Sequence, residues 1–336
     1  MRSAVGKTIV ALIVVVAAFG AAAMFESFGI DKIEKAHPAS GRFVNLNPGR
    51  LHIVELGRDN APAVVLLHGS SANLEDMRLA LGDRLAADYR VLLIDRPGHG
   101  WSDRPDGADD ASPAQQAKLI HGALEQAGVR RAVFVGHSWS GGLVLAYALA
   151  YPQDVAGLVL LAPLVYPQQR TIAWYGNVVG ALLAQSARIA GAPAVGPIFA
   201  HTLLYPVGKV LLRLAVRSAF DPQTPPPDYI AKTAAELLLR PAEFIANGED
   251  IAAINDFLDD QAPRYPQIRA PIAIITGESD AVVAADTNAK LLAKALPQAR
   301  LTVLPGVGHM VHYAATDRVI AAVGDIVKQD GGGASR

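Results

Sequence analysis

Cysteine is absent from the 336 residues. That excludes disulfides, thiolate metal sites and a cysteine nucleophile together, and leaves the redox compartment open. An excess of either charge is missing too: 30 Lys+Arg stand against 31 Asp+Glu. No basic run or aromatic–basic stripe is present to build a phosphate-binding face, which argues against nucleic acid as a partner. The nine histidines are scattered. No pair has ligand-like context except His309 and His312, which are better explained otherwise, so no metal and no cofactor is implied. There is no internal repeat. Apolar residues are abundant at 51 %, enough for a sizeable core in one large domain or two ordinary ones.

Arg2 and Lys7 precede an uncharged run from Thr8 to Phe25. At about 1.5 Å of rise per residue, a helix over that run nearly spans a bilayer core. Residues 1–25 therefore predict a signal-anchor that contacts a membrane through residues 8–25. The remainder of the chain is then expected outside the cytoplasm, in a periplasmic or extracellular location. The alternative is a cleaved signal peptide, with Ala21-Ala22-Ala23 as its small-residue exit and a secreted product. Residues 26–41 are mixed, charged and hold Pro38 and Gly41. They are expected as a linker.

Two alternating segments follow, Arg42 to Leu46 and Leu51 to Leu56, with Asn47-Pro48-Gly49 between them as a turn. This is a hairpin pattern. Then come six continuous apolar runs: Ala63–Leu67, Val91–Ile94, Ala132–Val135, Leu158–Leu161, Ile272–Ile275 and Leu301–Leu304. Strands that are apolar throughout are buried on both faces, as in a parallel sheet covered by helices. Helical patterns fill the intervals, including Pro113 to Ala127 and Asp317 to Val327. The fold expected is a doubly wound, mostly parallel eight-stranded α/β sheet spanning residues 42–330. The interval from Pro163 to Ala270 is too long for a simple crossover, and its apolar, proline-broken pieces predict a helical cap inserted at about residues 163–250. Residues 331–336 are expected as a disordered tail.

The third run leads into Gly136-His137-Ser138-Trp139-Ser140-Gly141-Gly142. A serine at a strand-to-helix corner needs small residues two before and two after it, met here by Gly136 and Ser140. Its hydroxyl is then exposed at a helix N-terminus, where developing negative charge is favoured. A serine needs a base to take its proton. His309, in the loop after Leu301–Leu304, sits at the same sheet edge; His312, three residues on, is expected to be structural or pocket-lining. Asp280, in the loop after Ile272–Ile275, is the acid expected to orient the imidazole; Glu278 is the nearby alternative, closer to the strand exit and expected to face solvent. The backbone N–H groups of Trp139 and Ser70 are the candidate donors for an oxyanion. His68 is expected only to brace the Ser70 loop.

The set resembles the α/β-hydrolase superfamily. His68-Gly69, the Asp95-to-Ser102 turn, the Gly136-to-Ser140 elbow, the Gly277-to-Asp280 loop and Gly308-His309 occur in its order, over roughly residues 43–327. The resemblance assigns Asp95 and His99 no catalytic role. A serine nucleophile departs from the aspartate of similar haloalkane dehalogenases and epoxide hydrolases. The layout looks more like the capped subgroup of esterases, lactonases, carbon–carbon bond hydrolases and cofactor-free haloperoxidases. The resemblance implies cleavage of a small, apolar carboxylic ester or related acyl compound through an acyl-serine. Carbon–carbon bond hydrolysis or acyl transfer on the same triad are the alternatives, and a non-catalytic, membrane-tethered ligand-binding protein is a third reading.

Overall fold

The computed structural model describes residues 2–168 and 195–333. Its eight strands form one sheet in the order β1-β2-β4-β3-β5-β6-β7-β8. β1 (Arg42–Asn45) and β2 (Arg50–Leu56) form the expected antiparallel hairpin, with Asn45 opposite Arg50. β2 runs antiparallel to β4 (Arg90–Ile94). All remaining pairings are parallel and use β3 (Ala63–Leu67), β5 (Ala132–His137), β6 (Val155–Leu161), β7 (Ile272–Gly277) and β8 (Ala299–Leu304). Each of the six apolar runs is a strand, lengthened by one to three residues in all but β3.

Successive side chains on a strand point to opposite faces, and here both faces are core. Val65, Leu67, Leu92 and Phe134 join one apolar cluster, together with Ile120 and Leu143 from the helices Pro113–Gln126 and Ser140–Ala150. Val64, Leu66, Leu93 and Val135 join the other, with Val319 and Val323 of the final helix. That double burial explains why these strands carry no polar alternation. Because β3, β5, β7 and β8 are parallel, their C-terminal ends lie at one sheet edge, and the loops after them carry the candidate site residues.

Between β6 and β7 the described chain is helical: Val195–Ala200, Leu204–Phe220, Tyr229–Lys232 and Pro241–Gln261. The inserted segment extends further than residue 250. The helix Pro241–Gln261 starts against the cap and ends in the main core, where Ile254 and Leu258 are buried. Residues 169–194 of the expected cap interval lie outside the described residues.

The N-terminal reading needs correction. Among the described residues, no helix is long and apolar enough to cross a membrane, which overturns the membrane anchor over residues 8–25. The apolar run is one part of a 35-residue helix, Arg2–Ala36. That helix does not stop at Phe25 but continues through Glu26, Asp31, Lys32, Glu34 and Lys35. Its later turns dock on the cap instead of linking to it. Ile33 is buried against Ala200, Leu204 and Leu237. The buried Glu26 carboxylate accepts the Tyr205 N–H at 2.9 Å, capping the first turn of Leu204–Phe220 from outside. Just past the helix, His37 O accepts the Trp101 indole N–H at 3.2 Å. At the other end, the segment expected as a tail is partly helix, since Thr316–Gly333 is continuous; residues 334–336 lie outside the described residues.

This docking carries a prediction. Burying an isoleucine contributes about 1.5–3 kcal/mol, and each hydrogen bond adds about 1 kcal/mol. A chain shortened by residues 1–41 is expected to lose about 3 kcal/mol of unfolding free energy, whereas one shortened by residues 1–25 loses under about 1 kcal/mol. Urea titrations of the two shortened chains check this; equal midpoints would show that the docked turns contribute nothing.

Candidate active site

β5 ends at His137, and the helix Ser140–Ala150 begins three residues later. Ser138 sits at that corner with φ of 54°. The left-handed region is unfavourable for a residue with a side chain and is held only where surrounding bonds enforce it. Ser138 N–H donates to Leu161 O at 2.9 Å, and Ser138 O accepts from Gly141 N–H at 2.8 Å and Leu164 N–H at 2.9 Å. Gly136 is required beneath the corner, because a Cβ there would meet Ser140 O and Val144 Cγ2, each at 2.7 Å. Ser140 stands where a glycine is usual in this motif, and the structure gives it a task. Its hydroxyl donates to His68 O at 2.5 Å, tying the corner to the loop after β3.

That loop lies against the nucleophile candidate: a Cβ on Gly69 would meet Ser138 Cβ at 3.1 Å. His68 braces it, as expected. Its Nε2 accepts Arg96 N–H at 3.0 Å, and its Nδ1 donates to Gly69 O at 2.8 Å. Burial holds the His68 imidazole well below its ordinary pKa, so it stays neutral. Ser70 and Trp139 line the same cavity as Ser138 and His309. The Trp139 side chain is locked, with the Arg96 guanidinium 4.1 Å over its ring and its indole N–H on Asp250 O at 3.2 Å.

His309 and Asp280 meet directly. His309 Nδ1–H donates to Asp280 Oδ2 at 2.8 Å, so Nε2 is the ring nitrogen not engaged with the carboxylate. Asp280 is buried, and its other oxygen accepts Val282 N–H at 2.8 Å and Val283 N–H at 2.9 Å, so the carboxylate is fixed at both ends. Glu278 is exposed, as expected. Asp95 has structural partners, accepting from Leu74 N–H and Trp101 N–H and pairing with His52 Nδ1. His99 is fully buried beside Arg96.

Two residues near the site went unread in the sequence. Asn247, on the helix Pro241–Gln261, clamps Ser71 with both arms of its amide: Oδ1 accepts Ser71 N–H at 2.7 Å and Nδ2 donates to Ser71 Oγ at 3.0 Å. Ser71 itself is left-handed, with φ of 58°. This fixes the backbone directly after Ser70. Asp76 is the other. It is buried, lines the cavity and pairs with His312 Nε2 at 3.1 Å. Asp76, His137 and His312 place ligand atoms within 4.8 Å of one another, a spacing that suits a metal. Yet both Asp76 oxygens are already engaged, one by Tyr229 and Tyr313 and the other by His312. Asp76 and His312 are a hydrogen-bonded pair, with the His137 ring packed beside His312. No local signal could have found either residue, since their partners are 176 and 236 positions away.

The cavity over Ser138 has a volume of about 250 Å³. One wall is a stripe of the helix Leu204–Phe220: Leu204, Gly208, Leu211, Leu212, Ala215 and Ala219, spaced as one helix face. Phe199, Phe220 and Phe244 close it from the cap side, and Ile254 and Val283 from the core side. Among the described residues, none of those lining it is a lysine or an arginine.

Comparison with known proteins agrees with this architecture. Residues 62–316 match the model of a family described as the alpha/beta hydrolase fold. The chain is 26 % identical over 281 residues to a 2-hydroxy-6-oxononadienedioate/2-hydroxy-6-oxononatrienedioate hydrolase of Cupriavidus pinatubonensis, covering 82 % of this chain and 90 % of that one. It is 28 % identical over 296 residues to a second such hydrolase of Pseudomonas putida, covering 84 % and 94 %. Among solved structures, the enol-lactonase from Burkholderia xenovorans LB400 superposes with a TM-score of 0.65 at 22 % identity, covering 85 % of this chain and all of that one.

Proposed function

Since the chain belongs to the α/β-hydrolase fold family, we propose that it is a serine hydrolase that cleaves an uncharged, apolar carboxylic ester. His309 Nε2 takes the Ser138 hydroxyl proton as Oγ attacks the ester carbon. The carbonyl oxygen becomes an oxyanion held by the backbone N–H groups of Ser70 and Trp139. The intermediate collapses, the acyl group stays on Ser138, and the departing alkoxide takes the proton from His309. Water then attacks the acyl-serine, giving its proton to His309, and the acid is released as Ser138 recovers its hydrogen. Asp280 keeps the Nδ1–H tautomer in place and stabilises the imidazolium in both halves.

The observation that carries the substrate class is the lining. The relatives from C. pinatubonensis and P. putida are named for dioate substrates, which bear carboxylates. A carboxylate taken out of water needs a cation or several hydrogen-bond donors. No lysine or arginine lines this cavity among the described residues, and the acidic group that does is Asp76. That favours ester cleavage over the carbon–carbon bond cleavage of a dioate. The volume lies just under the range usual for small-molecule sites, about 300–1,000 Å³, which suits a short acyl chain.

The test uses p-nitrophenyl esters of graded length. Each buried CH₂ contributes up to about 0.8 kcal/mol, close to a fourfold gain. kcat/KM is expected to rise from acetate to roughly butyrate or hexanoate and then fall. Monoesters of dicarboxylic acids are expected to be poor substrates. A steady decline from acetate, or faster turnover of a dienoate carbon–carbon substrate than of any ester, overturns this reading.

A further inference from the structure

Behind the base lies a polar cluster that the ester mechanism leaves unused. Asp76 belongs to the short helix Leu74–Met77, which follows the Ser70–Ser71 loop. Its carboxylate holds three segments together. Tyr229 of the cap donates its hydroxyl to Oδ1 at 2.7 Å. Tyr313, just past the base, sets its hydroxyl 3.0 Å from Oδ1 and 2.9 Å from Asp76 O. His312 Nε2–H donates to Oδ2, and its Nδ1 is buried without a partner. Burial alone would raise this carboxyl, yet the His312 ring and the donors around it outweigh that and hold it well below the usual carboxylate range.

The cluster reaches the base through two contacts. The His312 ring centre is 4.3 Å from that of His137, and His137 is 4.8 Å from that of His309. His137 Nε2–H donates to the His309 backbone carbonyl at 3.3 Å. Burial keeps the His137 ring far below its ordinary pKa, with the two neighbouring histidines adding to the effect. A neutral ring is thus wedged between the base and the cluster. His309 itself meets Asp280 from the loop after β7 and the His137 ring from β5.

We propose that Asp76 is a positioning residue for the reaction, fixing the segment after His309 against the oxyanion loop and the cap. The proposal rests on the serine-hydrolase reading. Its physical content is specific. An Asp76→Asn amide keeps an oxygen for the two tyrosines but presents an N–H to the His312 N–H, two donors facing each other. His312 must turn or change tautomer, and its loop moves with it.

The experiment follows the rate at which a fluorophosphonate labels Ser138 in the full chain, beside kcat and KM for a p-nitrophenyl ester. D76N is expected to label and turn over about tenfold or more slowly, with KM within about threefold of the parent. Tyr313→Phe keeps the anion and loses one donor. It is expected to lower kcat about threefold, with KM little changed. If D76N does not fold, an unchanged kcat in Y313F overturns the proposal by itself. An unchanged labelling rate in D76N also overturns it, as does a loss carried by KM with kcat unchanged, since a defect confined to the cavity would give that. Failure of the parent chain to label at Ser138 is a different result: it removes the serine-hydrolase reading.

Discussion

Replacing Ser138 with alanine is expected to lower kcat for p-nitrophenyl butyrate by about 10⁵-fold or more, while the chain stays folded. The size follows from the chemistry. Without Oγ no acyl-enzyme forms, and only the oxyanion donors and the cavity remain to assist water. Alanine accepts the left-handed corner about as poorly as serine, and the bonds that hold the corner run through backbone atoms of Ser138. The unfolding free energy is therefore expected to change by under about 1 kcal/mol. His309→Ala should cost the same order, and the double replacement no more than either alone, because the two act as one unit. Turnover of S138A within tenfold of the parent would falsify the assignment of the nucleophile.

The second large effect concerns stability. Asp250 and Arg96 are both fully buried and pair at 2.6 Å, linking the helix Pro241–Gln261 to the turn after β4. Asp250 also accepts from Arg104 at 2.8 Å and from the Gln116 amide at 3.1 Å. Burial pulls the Arg96 guanidinium below its ordinary pKa, and Asp250 opposes that pull. Asp250→Ala strands a buried cation and is expected to cost about 3–5 kcal/mol. The paired change Arg96→Met with Asp250→Leu removes both charges and is expected to be less damaging than Asp250→Ala. Urea unfolding of the three chains decides it. A loss below about 1 kcal/mol in D250A would mean that water or another group replaces the carboxylate. Arg96 also stacks on Trp139, so D250A should slow turnover even at temperatures where it remains folded.

The two results draw on features of unequal visibility in the sequence. The strands were legible because burial on both faces leaves an unbroken apolar run. Ser138, Asp280 and His309 were legible as candidates because each follows such a run, and parallel strands deliver their ends to one edge. The elbow also announces itself through small residues whose need is local. Asp76, Asn247 and the Arg96–Asp250 pair were not legible, for one shared reason. Each acts through a partner brought near only by the sheet's crossovers or by the cap, and a buried charge looks like a surface charge until its partner is known. The first helix misled for a related reason. Composition up to Phe25 describes an apolar segment, but the helix runs on to Ala36 and its position is set by Glu26 and Ile33.

The stripe along Leu204–Phe220 separates two jobs that many sites combine. The groups assigned to bond breaking sit on loops at the sheet's edge, whereas one wall of the cavity over Ser138 is a single face of one 17-residue helix. A change of volume at Leu211 or Ala215 alters which chains fit and leaves the bonds around Ser138, Asp280 and His309 in place. Selectivity in this scaffold is therefore adjustable in small, independent steps. A library confined to four or five positions on that face explores new substrates with each member still carrying an intact reaction centre.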